Sequence, residues 1–295
     1  MWDKIAQQIS KAVKQDFEFK KQFPVFGGDI NQASQVEGLL EGEPASFFIK
    51  LNKKNLLGMF EAEAAGLGEI DKSQSIYVPH VICHGVVENQ SFLILENLQL
   101  GSGNAGSAAR LGQQLAQMHK TTANQFGWVR ENTIGSTRQV NSYENNWIDF
   151  WRKHRLGFQL ELANTAGCSR SLLSKGQKLN DRLEAFFNNY EPEASLLHGD
   201  LWSGNYAYLK NAEPVIYDPA IYYGDREADI AMTELFGGFS TGFYAAYNEA
   251  WPLDQGYQQR KRLYNLYHVL NHYNLFGGGY GMQAENMIDQ LLASV

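Results

Sequence analysis

The residues best suited to chemistry lie in one stretch, LLHGDLWSGNYAYL, where Asp200 follows a glycine and precedes Asn205 by five positions. A second carboxylate, Asp218 in VIYDPA, stands eighteen residues past Asp200. An Asp that can accept a hydroxyl proton, an Asn whose amide oxygen can ligate a metal, and a further Asp beyond a hairpin have the spacing of a kinase catalytic loop and its metal-binding Asp. A phosphoryl group in flight carries dispersed negative charge. Mg2+ held by Asn205 and Asp218 would neutralise that charge, while Asp200 acts as the base. Taken singly, Asp200 and Asn205 read as turn residues; the spacing of all three is what points to phosphoryl transfer.

Such a site also needs a lysine for the phosphates of ATP and a carboxylate to hold that lysine. Lys50 ends the apolar run ASFFIK, an unfavourable place for an ammonium unless an anion meets it. Of the two nearby glutamates, Glu63 lies three after Phe60, seven after Leu56 and four before Leu67, on one helical stripe with them. Glu61 points about 100° away from Phe60, so Glu63 is the expected partner. In VFGGDINQAS, Gly27 and Gly28 would let backbone amides approach phosphates. The adenine would meet backbone at Glu96, Asn97 and Leu98.

The elements that must position these residues can be read from periodicity. An amphipathic helix opens the chain. Short apolar runs across residues 23 to 51 (PVFGG, SQVEGLL, the turn EGEP, ASFFIKL) predict three antiparallel strands. Leu56, Phe60, Ala64 and Leu67 predict a helix over residues 55 to 70, and VICHGVV and SFLIL two further strands. Beyond about residue 107 helical spacing dominates, broken by the hairpin YAYLK/PVIYDP. This predicts an α+β, bilobal protein-kinase-like fold: a small antiparallel-sheet lobe with one key helix over 1–97, a larger, mostly helical lobe over 98–295, and a cleft between them. The strand signals stop at ENLQLGSGNAG, residues 96 to 106.

Composition narrows the function further. Across 295 residues, 32 acidic against 25 basic side chains give a net charge of −7, which argues against a nucleic-acid partner. Cys83 and Cys168 are too few for a disulfide framework and lack zinc spacing, which fits a reducing cytoplasm. The N-terminus is too charged for a secretory signal, and no run approaches the ~18 apolar residues of a membrane span. No membrane partner is expected, and a monomer is.

The strings FFIKLN, MFEAEAAGL, FLILENL, LGQQLAQMH, FGWVRENTIGSTRQVN, LLHGDLWSGN, IYDPAIYYGDREADIAM and LNHYNLFGGGY resemble the ketosamine, or fructosamine, kinases. These belong to the aminoglycoside and choline phosphotransferase group. LHGDLxxxN is common to the wide group; Trp202-Ser203, the NTIGST block and DPAIYYGDRE are more specific to the ketosamine kinases. The resemblance implies ATP-dependent phosphorylation of a sugar hydroxyl on a ketosamine, a deglycation repair step. It gives Asp200 as base, Asn205 and Asp218 as metal ligands and Lys50 with Glu63 as the phosphate-holding pair.

It also implies Trp202 and His272 in acceptor binding, with an indole face suited to an amine-bearing sugar, and Asp229 as a brace of the catalytic loop. Structural hydrogen bonding is expected of His198 and His119. Two departures stand out. Asp29 lies where some members carry a cysteine linked to redox control and dimerisation, and Asp225 where a histidine is more frequent. The rival readings are a kinase of another small acceptor (an aminoglycoside, a choline-like compound or a sugar alcohol) and a kinase-shaped binding protein without turnover.

Overall fold

The structure, a computed structural model, describes residues 1–25 and 30–295. Gly27 and Gly28, expected over the phosphates, and Asp29 lie outside the described residues. The chain divides into two compact units. The first comprises Met1–Ser107 with Ala207–Asp218, the second Ala108–Tyr206 with Pro219–Val295.

In the first unit, helix α1 (Trp2–Val13) ends where Lys14 turns left-handed. Strands β1 (Phe17–Val25), β2 (Gln32–Leu40) and β3 (Glu43–Lys53) follow, then helix α2 (Leu57–Lys72) and strands β4 (Val81–Val87) and β5 (Gln90–Glu96). The five strands form one antiparallel sheet in the order β1-β2-β3-β5-β4. The β2–β3 turn places both Glu41 and Gly42 at positive φ, the twist a tight hairpin needs. Strand β1 starts at residue 17, earlier than the expected 23, because only Phe17 of its side chains is buried and the rest of this lysine-bearing edge carries no apolar alternation.

One face of the sheet packs Val36, Phe47, Ile49, Leu51, Phe92 and Ile94 against Ile5, Ala6 and Ile9 of α1. The period of two in β3 that sends Phe47, Ile49 and Leu51 into this core sends Lys50 to the opposite face. There α2 buries Phe60, Ala62, Leu67 and Ile70. The expected stripe is shorter than read: Leu56 falls in a 3₁₀ turn ahead of α2 and is 37% exposed. The predicted hairpin is present as Tyr206–Leu209 and Pro214–Ile216, and Leu100–Gly101 pairs with its first strand.

The second unit is mostly helical: α3 (Ser107–His119), α4 (Trp147–Phe150), which runs through a π turn into α5 (Gly157–Thr165), α6 (Arg170–Asn180), α7 (Glu227–Leu235), α8 (Thr241–Ala250), α9 (Tyr257–Phe276) and α10 (Tyr280–Ala293). Its longest helix, α9, is flanked by α5, α7 and α10 and buries eleven side chains. Two short antiparallel pairs interrupt the helices. Asn132–Ile134 pairs with Thr137–Gln139 within the NTIGST block, and Ser195–Leu197 pairs with Tyr222–Gly224. Among the described residues no helix is long and apolar enough to cross a membrane.

Candidate active site

In the first unit, β3, α2 and the hairpin end bring three ionisable groups together. The Lys50 ammonium lies 2.5 Å from Glu63 Oε1 and 2.5 Å from Asp218 Oδ1. Lys50 and Glu63 are nearly enclosed, with side chains 7% and 11% exposed, while the Asp218 side chain is 45% exposed. Burial works to lower the Lys50 pKa, but the two carboxylates outweigh it and hold the ammonium above its ordinary value. Burial pushes the Glu63 carboxyl up, with the Asp218 charge adding to it against the pull of Lys50. One cation thus serves two anions, and the more exposed anion is Asp218. Its backbone φ of 58° is left-handed, a conformation Asp tolerates better than most residues.

At the end of β5, Tyr77 Oη donates to both oxygens of the Glu96 carboxylate, at 2.8 and 2.7 Å, and His80 N donates to it at 3.2 Å. Asn97 Nδ2 donates to Ser46 Oγ at 2.9 Å, and the Leu98 carbonyl accepts from Leu100 N at 3.1 Å. Tyr77 also accepts Ile216 N on its carbonyl at 3.1 Å, two residues before Asp218. Nothing in the sequence singles out Tyr77, which sits between α2 and β4 without periodic neighbours.

In the second unit, Asp200 and Asn205 share a tight loop. Asn205 Nδ2 donates to the Asp200 carbonyl at 2.8 Å and approaches Asp200 Oδ2 at 3.4 Å; Trp202 N donates to that carbonyl at 3.1 Å. Asn205 is buried and Asp200 half-buried. Behind the loop, Asp229 in the first turn of α7 accepts His198 N at 2.6 Å and Gly199 N at 2.8 Å. Its Oδ2 also takes His119 Nε2 at 3.1 Å, so His119 Nδ1 accepts from Tyr247 Oη at 2.8 Å. Burial alone would raise the Asp229 carboxyl, but the His119 contact and the Gly199 amide hold it below the usual range. Burial lowers the His119 pKa and keeps the ring neutral.

Gly199 has no substitute: its φ is +81° and a Cβ there would meet the Ala220 carbonyl oxygen at 2.1 Å. Trp202 is 38% exposed, its ring lying over Gly204, where a Cβ would meet it at 2.3 Å. His272, on α9, packs against Phe236, Tyr280 and Phe276 at 5.0, 5.2 and 5.7 Å between ring centres and donates through Nδ1 to the His268 carbonyl at 2.8 Å. Where the resemblance favours histidine, Asp225 is fully buried and accepts from Tyr190 Oη at 2.8 Å, from Tyr264 Oη and from Glu227 N at 3.0 Å.

The first unit therefore gathers Lys50, Glu63 and Asp218, and the second gathers Asp200, Asn205, His198 and Asp229. A carboxylate-held lysine on a sheet strand and an Asp-Asn loop braced from a helix are the parts of a phosphotransferase. The sequence model of the fructosamine kinase family matches residues 1–294. A probable ketoamine kinase of Synechocystis sp. is 48% identical over 292 residues, 99% of this chain and 97% of its own. The chloroplastic protein-ribulosamine 3-kinase of Arabidopsis thaliana is 45% identical over 91% of this chain and 81% of its own.

A crystal structure from Haemophilus somnus, provisionally named a fructosamine-3-kinase, superposes with a TM-score of 0.88 at 30% identity over 99% of this chain and 98% of its own. The choline kinase LicA of Streptococcus pneumoniae, 12% identical over 100% and 99% of the two chains, has a TM-score of 0.59 and shares the protein-kinase-like fold. The chain belongs to the fructosamine kinase family. It is a ketosamine kinase, a phosphotransferase with an alcohol group as acceptor, and its kinase membership carries with it the use of ATP.

Proposed function

We propose that the protein transfers the γ-phosphoryl group of ATP to the hydroxyl on the third sugar carbon of a ketosamine, with ribulosamine-type adducts as its first substrates. The carrying observation is the shared ammonium of Lys50 between Glu63 and Asp218, in a chain 45% identical to a protein-ribulosamine 3-kinase. Lys50 binds phosphate oxygens and Glu63 keeps it in place. Backbone at Glu96, Asn97 and Leu98 receives the adenine.

Asp218 and Asn205 offer a carboxylate and an amide oxygen, hard donors of the kind Mg2+ takes alongside phosphate oxygens and water. The Asn205 amide nitrogen is committed to Asp200, which leaves the oxygen as its metal-binding atom. Bound with the triphosphate, Mg2+ supplies positive charge against the charge that develops on the phosphoryl oxygens. Asp200 accepts the acceptor hydroxyl's proton. The exposed indole of Trp202 stacks on the sugar, and His272 lines the acceptor site. The protein acts as a monomer in the cytoplasm, and phosphorylation starts the breakdown of the adduct and the release of the amine.

The test is a coupled assay with Mg2+ and ATP on ribulosamines, fructosamines, aminoglycosides, choline and free sugars in parallel. The highest kcat/KM is expected on a ribulosamine. Turnover confined to the other three acceptor classes would overturn the reading.

A further inference from the structure

The hairpin that spans the NTIGST block and the two residues after it, specific in sequence yet without a role in the chemistry so far, carries a buried amide network. Gln139, 1% exposed, donates through Nε2 to Asn132 Oδ1 at 2.8 Å and to the Ala220 carbonyl at 2.9 Å. Its Oε1 accepts from Tyr267 Oη at 2.8 Å. The orientation of the amide is fixed, because the Ala220 carbonyl can only accept. Asn132 Nδ2 in turn donates to the Ile221 carbonyl at 2.8 Å, and Asn132 Oδ1 also accepts Asn141 Nδ2 at 2.9 Å. Arg155 closes the network from behind, donating to Asn141 Oδ1 at 2.8 Å.

Ala220 is the residue whose backbone meets the segment just before Asp200. Its amide donates to the His198 carbonyl at 2.8 Å. Its carbonyl oxygen lies so near Gly199 that a Cβ there would meet it at 2.1 Å. Asp229 pins the amides of His198 and Gly199, while Ala220 pins the His198 carbonyl on the same two residues, immediately before Asp200. The N–H and the C=O of Ala220 belong to successive peptide groups, so the residue is held on both sides: by the His198 carbonyl on one and by Gln139 on the other.

We infer that Gln139, backed by Asn132, is a positioning residue for phosphoryl transfer: it holds Ala220, and Ala220 sets the register of the backbone that carries Asp200. The inference rests on the reading of Asp200 as the base. It gives the NTIGST block a task, since its two short strands place Asn132 and Gln139 side by side on the buried face of a hairpin. A misplaced base costs rate steeply, because proton transfer and in-line attack tolerate little error in position.

The test is Gln139→Met, which keeps length and volume but removes the donor. The kcat for a ribulosamine, per nucleotide-binding site, is expected to fall on the order of 10²-fold while the KM for ATP stays within about twofold. Amide hydrogen exchange is expected to speed up at Ala220 and at residues 198–200, with the α9 amides still protected. Should Gln139→Met not fold, Gln139→Asn, one methylene too short to reach both Asn132 and Ala220, is read the same way.

An unchanged kcat per site, or a loss shared equally by kcat, KM and exchange throughout the second unit, would overturn the inference. If the parent protein phosphorylates no ketosamine, the proposed acceptor fails instead, and the exchange pattern still reports whether Gln139 holds the loop.

Discussion

Around Lys50, two carboxylates, one 13 and one 168 residues away, share a single ammonium, whereas around Asp200 the backbone is held by a buried carboxylate, itself held by an imidazole, and by the backbone of Ala220. The first arrangement is electrostatic, and its Asp218 member is half open to solvent; on the proposed reading, a triphosphate with its cation would redistribute those charges without moving the backbone. The second consists mostly of hydrogen bonds to main-chain groups, which cannot be redistributed without unfolding the loop. A phosphotransferase needs both kinds of construction: charges that rearrange as the nucleotide binds, and a base whose position stays fixed.

Substitutions should separate the two. Asp200→Asn keeps the loop's shape and removes the proton acceptor, so kcat is expected to fall by about 10³-fold or more with nucleotide affinity nearly unchanged. Isothermal titration with ATP beside the kinetic assay checks this. Lys50→Met should do the reverse in kind: nucleotide affinity weakens and kcat/KM drops by about 10²-fold. The change also leaves Glu63 buried without its cation, a loss that costs roughly 3–5 kcal/mol in enclosed pairs, and a thermal melt would reveal it. Equal effects of the two substitutions on binding and on turnover would erase the distinction drawn between the regions.

A smaller effect concerns pH. Burial, with a contribution from His272, lowers the His268 pKa to about 3. The unfolded chain binds a proton near pH 6.5 that the folded chain refuses, so stability is full above that pH and declines as pH falls from about 6.5 towards 3. Between pH 7 and pH 5 the loss from this one group is about 2 kcal/mol. Urea unfolding of the parent and of His268→Gln at the two pH values should show it as a pH-dependent loss that is smaller in the variant by about that amount. The smallest expected change is that of Tyr77→Phe, which frees the Glu96 carboxylate from its phenol: a rise of a few-fold in the KM for ATP, with kcat intact, in initial-rate kinetics.

The sequence announces these features unequally. Lys50 and Glu63 were legible because an ammonium ending an apolar run calls for an anion, and a helical period placed one glutamate, not its neighbour, on the inner stripe. The contact of Lys50 with Asp218 spans 168 positions; no local pattern carries it, and only the spacing of Asp218 from Asp200 and Asn205 suggested a role for that residue. The start of β1 was missed because an edge strand with a single buried side chain leaves no alternation to read. Gln139 and Asn132 were invisible as a network because the contacts that tie them to the segment beside the loop go to the Ala220 and Ile221 carbonyls, which have no signature in side-chain chemistry. The buried Asp225 is satisfied by two tyrosine hydroxyls, from segments 35 and 39 residues away, that nothing nearby in sequence foretells.

Phosphorus–proton correlation NMR on the unfractionated reaction of a ribulosamine with ATP identifies the phosphate ester formed. One ester per ATP consumed is expected, on the third sugar carbon, and none with Asp200→Asn. Phosphate released to water with the sugar unmodified, or an ester formed as quickly by Asp200→Asn, would contradict that expectation.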